Sequence, residues 1–585
     1  MKSLKEKGAY LLLGVLMLAI LGIIFYRSLS YHYELQGNLS DLSGCQMEFS
    51  GYEVTASPMS DGMDFTAVGK DFHVTGEDPQ LILTLPAGMQ LGGVALAFET
   101  FAENPLPVQV FYAKEWEGYA EKNSVKGNIK AGETQILFPI PHGEYCALRL
   151  DVDGDFRLAG ITGCSEPMKV TPYISGDTMY ICLWYFPAAI VGLCLIFWAH
   201  AVRIREGGFT AGGYVRNVFL GAEPTEDRET YLDYLRILAA VFVILAHTCS
   251  PMVGLADAGW KNLLLICGLS LGLCCNPLYI MLSGTLLLNT RGKREERVAA
   301  FYIRRASKVI IPLIAYYFLI LHLNNEVRFL PPANLTTSLR RIVTGAPDAA
   351  PHLWLIYTIV ALYLVTPFFR VMVQHMSDRL LFSIAAVILI LNVLTTYLPL
   401  IGMTFGASTF LAGWEGVFLL GFILTRQNAL AGASRRNRMI VLAAVASYII
   451  MVMVVVRDAS WMNYVYGGTP TMVVAACGIF TLFLANKDKF RSRSNALVRL
   501  LAKYSYSMIL IHWYALFVVV QGKLHITALR FGCIGGIAAS VLATIAVCLA
   551  IAVVFDNTVV IVCSVIFDKL TKRLTGGGNR RTPNM

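Results

Sequence analysis

The stretch YLDYLRILAAVFVILAHTCSP, residues 231–251, places an arginine and a histidine in a run that is otherwise apolar enough to enter a bilayer. Arg236 and His247 are separated by about three helical turns, so on an α-helix they share one face and lie roughly 16 Å apart along the axis. Ionisable groups in a membrane-spanning helix are costly and usually face a bundle interior or a watery cavity. Imidazole is also well suited to move a proton near neutral pH, so this face predicts acid–base chemistry at His247.

A purely structural interpretation of the same residues is also open. In it, Arg236 extends its long side chain to the membrane surface, and His247 is a hydrogen-bonded packing residue. This interpretation explains Arg236 alone, but it gives no reason for a second polar residue deeper on the same face. Asp233 precedes Arg236 by one helical turn and could orient its guanidinium.

Four later segments also place polar or small residues in apolar surroundings. They are YIMLSGTLL (279–287), FYIRRASKVIIP (301–312), HLWL (352–355) followed by Tyr363 and Pro367, and YSYSMILIH (504–512). Together with residues 231–251, and in this order, they resemble the motifs of the acyltransferase-3 family. Members of that family are integral-membrane enzymes that O-acylate cell-surface glycans and related acceptors. The resemblance extends over roughly residues 228 to 560.

The resemblance implies roles for individual residues. His247 would be the general base that activates an acceptor hydroxyl, and Arg236 would position the acyl donor or stabilise negative charge. Arg304 and Arg305 would bind the phosphates of acyl-CoA, although ordinary positive charge of a cytoplasmic loop explains either arginine as well. No metal and no permanently bound cofactor are expected. Further residues expected to line or support the reaction chamber are Asp233, Ser283, His352, Trp354, Tyr506 and His512.

Two of these supporting residues have simple structural explanations. Trp354 suits anchoring at the membrane surface, and Ser283 beside Gly284 suits close helix packing better than nucleophilic catalysis. His512 is harder to explain in this way because it lies inside an apolar segment. We therefore expect His512 to line the chamber.

The composition places the chain among polytopic membrane proteins. Hydrophobic residues make up 56% of the chain and charged residues 15%, which lies outside the range of soluble globular proteins. The formal net charge is +9, but positive charge in membrane proteins normally collects in cytoplasmic loops, so no nucleic-acid partner is expected. The cysteines show neither zinc spacing nor a CxxC pair.

The N-terminal part of the chain has a different pattern. Residues 9–25 form an apolar run after a short basic segment, which predicts an uncleaved anchor, with a secretory signal peptide as the alternative. Residues 30–176 alternate in short segments between turn residues, which predicts an extracytoplasmic all-β sandwich. Within it, Leu148–Val152 and Asp155–Ile161 are expected to pair as a hairpin around Asp153-Gly154.

Several features of this domain stay open. Three aspartates between 151 and 155 suggest calcium, but the EF-hand spacing fails, so a solvated turn is favoured. Cys45, Cys146 and Cys164 lie where disulfides can persist, and the pairing among them is undetermined. The strand pattern bears a short resemblance to jelly-roll modules that accompany some membrane-bound glycosyltransferases. Glycan binding, partner docking and a role as spacer or lid are all compatible with it.

The remaining apolar runs complete a count of about twelve spans: two anchors and a ten-helix acyltransferase bundle. Loops that this count places inside hold most of the lysines and arginines, in agreement with the positive-inside rule. The expected division is 1–29 membrane anchor, 30–176 extracytoplasmic β-sandwich, 177–203 second transmembrane helix, 204–229 cytoplasmic linker, 230–567 acyltransferase-3 membrane domain and 568–585 basic cytoplasmic tail.

The expected function is acyl transfer in the cell (cytoplasmic) membrane. The group, most often acetyl in this family, would move from cytoplasmic acyl-CoA to a hydroxyl of an envelope glycan or lipid-linked sugar. Either the membrane part acts on this acceptor directly or a separate extracytoplasmic transferase completes the transfer. The main alternative is a transporter or flippase of an envelope precursor, against which the sequence shows no internal repeat and no pair of broken spans. A sensor whose sandwich binds a ligand is a third possibility.

Overall fold

The structure of the protein is a computed structural model. It describes residues 2–54, 68–76, 78–100, 105–114, 119, 123–129, 133–221, 228–256, 259–289, 297–324, 326–329, 332–345, 350–403, 411–429, 432–492 and 495–572. The chain divides into two compact units, Met1–Ala189 and Ile190–Met585.

The first unit contains an antiparallel β-sandwich. One sheet has the strand order β3-β4-β11-β6-β9 with β1 also paired to β11, and the other has the order β2-β5-β10-β7-β8. The strands are β1 Ser30–Asp41, β2 Met47–Ser50, β3 Tyr52–Val54, β4 Asp71–Val74, β5 Gln80–Thr84, β6 Gln90–Thr100, β7 Leu106–Ala113, β8 Ser124–Ile129, β9 Gln135–Glu144, β10 Ala147–Val152 and β11 Phe156–Tyr173. The predicted all-β domain is confirmed.

Alternating apolar residues of both sheets form the core between them. In β10, Leu148, Leu150 and Val152 are buried, as the period of two in a strand requires. The rings of Phe72 and Phe156, from the opposite sheet, stack with centroids 5.0 Å apart. The sandwich is thus held by the same apolar alternation that predicted it.

The predicted hairpin between β10 and β11 is wrong. The turn at Asp153-Gly154 carries the chain from one sheet to the other, since β10 pairs with β5 and β7 whereas β11 pairs with β1, β4 and β6. Turn residues indicate where a chain reverses, but not which strand edges then pair. Both strands meet their hydrogen-bonding needs with other partners.

Two of the three aspartates between 151 and 155 form hydrogen bonds within the sandwich. Arg149 donates to both carboxylate oxygens of Asp151 at 2.7 Å. Asp155 pairs with the ring of His73 and accepts from the backbone N–H of Val74, both at 3.0 Å. Hydrogen bonding from His73, then from Val74, lowers the pKa of Asp155. Cys45, Cys146 and Cys164 are free thiols.

Helices α1 (Lys2–Ser28) and α2 (Gly176–Gly207) flank this sandwich in sequence. Strand β1 follows α1, and the end of β11 leads into α2. The two strands pair with Ser30 opposite Tyr173. The hydroxyl of Thr178 donates to the carbonyl of Ser28 at 2.7 Å. The β1–β11 pairing therefore brings the adjoining ends of the two apolar helices together.

The second unit is a helical bundle. Its helices are α3 Ala211–Leu220, α4 Thr230–Cys249, α5 Gly259–Gly272, α6 Cys275–Leu288, α7 Val298–Arg305, α8 Ile311–Leu323, α9 Leu335–Thr344, α10 Trp354–Gln374, α11 Asp378–Tyr397, α12 Trp414–Asn428, α13 Ala433–Arg457, α14 Met462–Val465, α15 Pro470–Ala485, α16 Lys487–Ser492, α17 Ala496–Trp513, α18 Cys533–Phe555 and α19 Ile561–Lys572. Segments 306–310, 514–523 and 556–560 are π-helical. A short hairpin pairs β12 (Arg328–Phe329) with β13 (Pro332–Ala333).

Within the described ranges, nine helical stretches are long and apolar enough to cross a membrane, or ten if one bent pair counts as a single span. The bent pair is Ala459–Val465 with Pro470–Ala485, at 62°. Helix α12 corresponds to another predicted span but has 15 residues. The stretch Gly14–Ser28 of α1 is a shorter apolar helix and is not among the nine. The predicted polytopic α-helical membrane fold is confirmed.

Candidate active site

Helix α4 holds the polar face that the sequence predicted. Many of its apolar residues are buried in the bundle, and Leu235 and Ala239 are fully buried. The helix ends at Cys249, before a short 3-10 turn that contains Pro251, and a proline has no N–H to donate to the carbonyl four residues earlier, here that of His247. The end of the helix is thus set two residues after His247.

At the start of α4, Asp233 binds two arginines. It is 6% exposed and accepts from Arg236 Nη1 at 3.0 Å and from Arg228 Nε at 2.8 Å. The contact with Arg236 is the one that an orienting role for Asp233 requires. The sequence analysis did not single out Arg228, which lies just outside the apolar run.

Near the other end of α4, three histidines and a tryptophan lie together. The ring of His247 is stacked against that of His512 with centroids 5.2 Å apart, and His512 meets His352 edge-on at 4.9 Å. Trp513 contacts His247 edge-on at 5.0 Å and stacks on His352 at 5.8 Å. The structure thus brings together three predicted site residues from α4, the segment before α10, and α17. We call this set, with Trp513, the histidine cluster.

Backbone carbonyls orient two of these imidazoles. The Nε2–H of His352 donates to the carbonyl of Leu510 at 3.0 Å, and the Nδ1–H of His512 donates to the carbonyl of Ile509 at 2.6 Å. A carbonyl only accepts, so these nitrogens must carry the proton. In the neutral rings, Nδ1 of His352 and Nε2 of His512 are then acceptors, and both are buried without a hydrogen-bond partner.

The other predicted supporting residues lie elsewhere. Trp354 is 44% exposed and packs against Trp414 at 5.8 Å, as an interfacial anchor would. Ser283 is buried on α6 next to Gly284, at whose position a Cβ would overlap the carbonyl of Phe418. Tyr506 donates to the carbonyl of Val309 at 3.0 Å. The structural interpretations of Trp354 and Ser283 therefore account for their positions.

Arg304 and Arg305 end helix α7 rather than lying in a loop. Arg305 lies over the rings of Phe301 and Tyr363, at 5.6 and 5.9 Å. Arg370 of α10, which was not among the predicted site residues, also lies over the ring of Phe301, at 4.6 Å. Aromatic faces attract guanidinium groups, so these rings hold two cations close to one another.

A π-helical segment, 306–310, separates these arginines from α8. Pro312 has no N–H to continue a regular helix, and π-helical segments within α-helices frequently mark functional sites. A cavity of about 460 Å³ opens beside it. Its lining residues are Arg203, Ser307, Lys308, Pro312, Lys503, Tyr506, Ser507, Asp556, Ser564 and Asp568. We call it the basic cavity.

Most charged side chains of the basic cavity form ion pairs or hydrogen bonds with other residues of the protein. Arg203 pairs with Asp568 at 2.8 Å. Asp556 accepts from Ser507 at 2.6 Å and from Tyr316 at 2.9 Å, and Lys503 donates to two backbone carbonyls at 3.1 Å. Lys308 makes no hydrogen bond or ion pair within the described ranges. No set of three or more His, Cys, Asp or Glu residues suited to a metal was found over those ranges.

Comparison with known proteins adds the following. A solved structure of a low affinity xylan binding module from the gut symbiont Roseburia intestinalis aligns at 12% identity and a TM-score of 0.15, over 23% of this chain and 95% of that chain. No curated protein matches the chain. The model of the acyltransferase-3 family, an acyltransferase domain, matches residues 229–553. This match covers more than half of the sequence and includes α4, both arginines of α7 and the histidine cluster, and the chain therefore belongs to the acyltransferase-3 family.

Proposed function

We propose that this membrane acyltransferase is an O-acyltransferase that moves an acyl group, with acetyl favoured, from acyl-CoA to a hydroxyl of a cell-envelope glycan or lipid-linked sugar. The observation that carries the proposal is the position of His247, which lies in the histidine cluster on the helix that also presents Arg236. A proton acceptor and an oriented cation on one buried helix are what acyl transfer to a hydroxyl requires.

In the proposed reaction, His247 removes the proton of the acceptor hydroxyl as its oxygen attacks the thioester carbonyl. A carbon–oxygen bond forms, the carbon–sulfur bond breaks, and the imidazolium returns the proton to the departing thiolate. Asp233 holds Arg236 in place through its 3.0 Å contact, so the guanidinium is available to offset negative charge on a part of the donor that lies away from the reacting carbonyl.

The donor is proposed to enter from the cytoplasmic end of the bundle. The basic cavity, with its unpaired Lys308, lies one helical turn from Arg304 and Arg305. Clustered cations of this kind suit the phosphates of a coenzyme A thioester. The positive-inside distribution of the loops supports this orientation.

Transport of an envelope precursor is the second candidate. It is favoured by the bent pair Ala459–Val465 and Pro470–Ala485, since interrupted spans occur at transporter binding sites. Family membership favours transfer over transport, because the matched family model is that of an acyltransferase domain.

The test is the O-acyl content of envelope glycans, measured by mass spectrometry after mild extraction from an acceptor-bearing host. Cells would express the wild type, His247→Ala, or a matched control, His375→Ala, whose exposed ring bonds only within its own helix. Membrane levels would be equalised by immunoblot. We expect ester with the wild type and His375→Ala but not with His247→Ala. Equal ester in all strains, including one without the protein, would contradict the proposal.

A further inference from the structure

Two imidazole nitrogens in the histidine cluster have no hydrogen-bond partner among the residues that the structure describes. His352 is 8% exposed and His512 is 1% exposed, and the partnerless atoms are Nδ1 of His352 and Nε2 of His512. A buried acceptor without a donor is costly, so native proteins rarely leave one unpaired without a functional reason. Two such atoms beside the candidate base indicate a ligand that supplies the missing donors.

The backbone fixes the direction of both acceptors. Leu510 and Ile509 belong to the same turn of α17 that precedes His512, and their carbonyls hold the two N–H groups. Turning either ring by half a rotation would replace the bonded N–H by a ring C–H, and the other tautomer would place a lone pair against the carbonyl oxygen. Each ring therefore keeps its unprotonated nitrogen available, a preorganised arrangement that lowers the cost of binding.

The partners that suit these atoms are hydroxyl groups. Neutral imidazole nitrogens accept hydrogen bonds from O–H donors. The ring of His512 contacts both His247 and His352, so hydroxyls bound there would flank the one that His247 activates. A polyhydric acceptor can meet all three histidines, whereas a monohydric alcohol can meet only His247.

We propose that His352 and His512 bind hydroxyl groups of the acyl acceptor that neighbour the acylated one, and so select polyhydric acceptors. The inference rests on the proposed function and deepens it. It adds no covalent step, because both residues act as hydrogen-bond acceptors and His247 alone carries the transferred proton.

The test uses the full-length protein in lipid nanodiscs with acetyl-CoA as donor and two matched three-carbon probes, glycerol and 1-propanol. Release of coenzyme A reports thioester cleavage, and mass spectrometry reports each ester. We expect the wild type to favour glycerol over 1-propanol, per hydroxyl, by on the order of tenfold, since one neutral hydrogen bond contributes a factor of about five.

Amide substitutions separate acceptor binding from ring anchoring. At position 512, Gln places a carbonyl near the Nε2 site and retains an acceptor, whereas Asn retains only a donor toward Ile509. At position 352 the relation is reversed, because there Nδ1 is the acceptor: Asn retains it and Gln retains the donor toward Leu510. We therefore expect His512→Gln and His352→Asn to keep most of the glycerol preference. His512→Asn and His352→Gln should lose about fivefold of it.

The opposite pattern would be that His512→Asn and His352→Gln, which keep only the donor toward the backbone, retain the glycerol preference. That result would show a structural role for the two rings and overturn the inference. An unchanged preference in all four variants would overturn it too, while leaving the proposed function intact. Absence of ester from the wild type with glycerol would overturn this inference, whereas the proposed function stands or falls with the O-acyl content of envelope glycans. Size-exclusion profiles and unfolding temperatures of the variants would establish that they are folded.

Discussion

At the scale of single residues, the site depends on buried charged groups that are paired with one another. Asp233 is the clearest case, because one buried carboxylate binds both Arg228 and Arg236. Removing one member of a buried ionic set leaves the others uncompensated, which is more costly than losing an exposed pair.

We expect Asp233→Asn to lower kcat/KM for acyl transfer by at least about tenfold, because two guanidinium groups lose their shared anion. The measurement is ester formation at equal protein concentration. Asp378→Asn is the control, since it removes a half-exposed pair with Arg426 and should change the rate less than about threefold. Equal effects of the two substitutions would show that the Asp233 contacts are not specific to the reaction.

Asp155 links the stability of the sandwich to pH. Its pKa is lowered in the folded state by hydrogen bonds from His73 and Val74, so its contribution is present above the ordinary carboxyl pKa and is lost as pH falls through the lowered value. Thermal unfolding of Asp155→Asn should therefore differ from the wild type near pH 6, and the difference should shrink toward pH 3. A difference that grows on acidification would contradict this assignment.

At the scale of elements, close packing positions α6 against α12. Side chains at Gly284 and Gly421 would overlap backbone of Phe418 and Met281 respectively, so the two helices meet through paired small residues. The π-helical segment 306–310 has a different effect, since it changes the helical phase just before Pro312 and places Lys308 at the basic cavity.

Gly284→Ala should destabilise the bundle, because backbone atoms cannot move aside as a flexible side chain can. A cost of about 1–3 kcal/mol is expected from overpacking. Unfolding temperature in detergent checks this, with Gly192→Ala on α2 as the control, since a Cβ there meets nothing within 4 Å. Equal stability of the two variants would contradict the packing argument.

Lys308→Ala should raise the KM for acyl-CoA by about threefold to tenfold with little change in kcat, because a phosphate contact contributes to binding the donor in ground and transition states alike. Initial rates across acyl-CoA concentrations measure this. Arg435→Ala, an exposed cation at the start of α13, tests whether any positive charge at that membrane face has the same effect. If it does, the basic cavity is not the donor site.

At the scale of the whole molecule, the expected topology places the sandwich outside the cytoplasm and the end of α19 inside. Lys169 and Lys572 suit a test of this arrangement, because each side chain is 60% exposed although it contacts a carboxylate. A membrane-impermeant amine reagent should label Lys169 in intact cells stripped of outer barriers, and Lys572 only after lysis. Peptide mass spectrometry would show the reverse if the orientation were inverted.

The sequence by itself determined the fold class, the apolar helices and the order of family motifs, because hydropathy and period are local properties of a chain. The sequence also predicted His247, His352 and His512 as residues of the reaction chamber. Only the tertiary structure showed that these rings touch, that Trp513 joins them and that Asp153-Gly154 links two sheets instead of closing a hairpin. Only the tertiary structure also showed that Arg203 and Asp556 line the same cavity. Such contacts join residues hundreds of positions apart, and helix packing and backbone carbonyls, which no local pattern encodes, decide them.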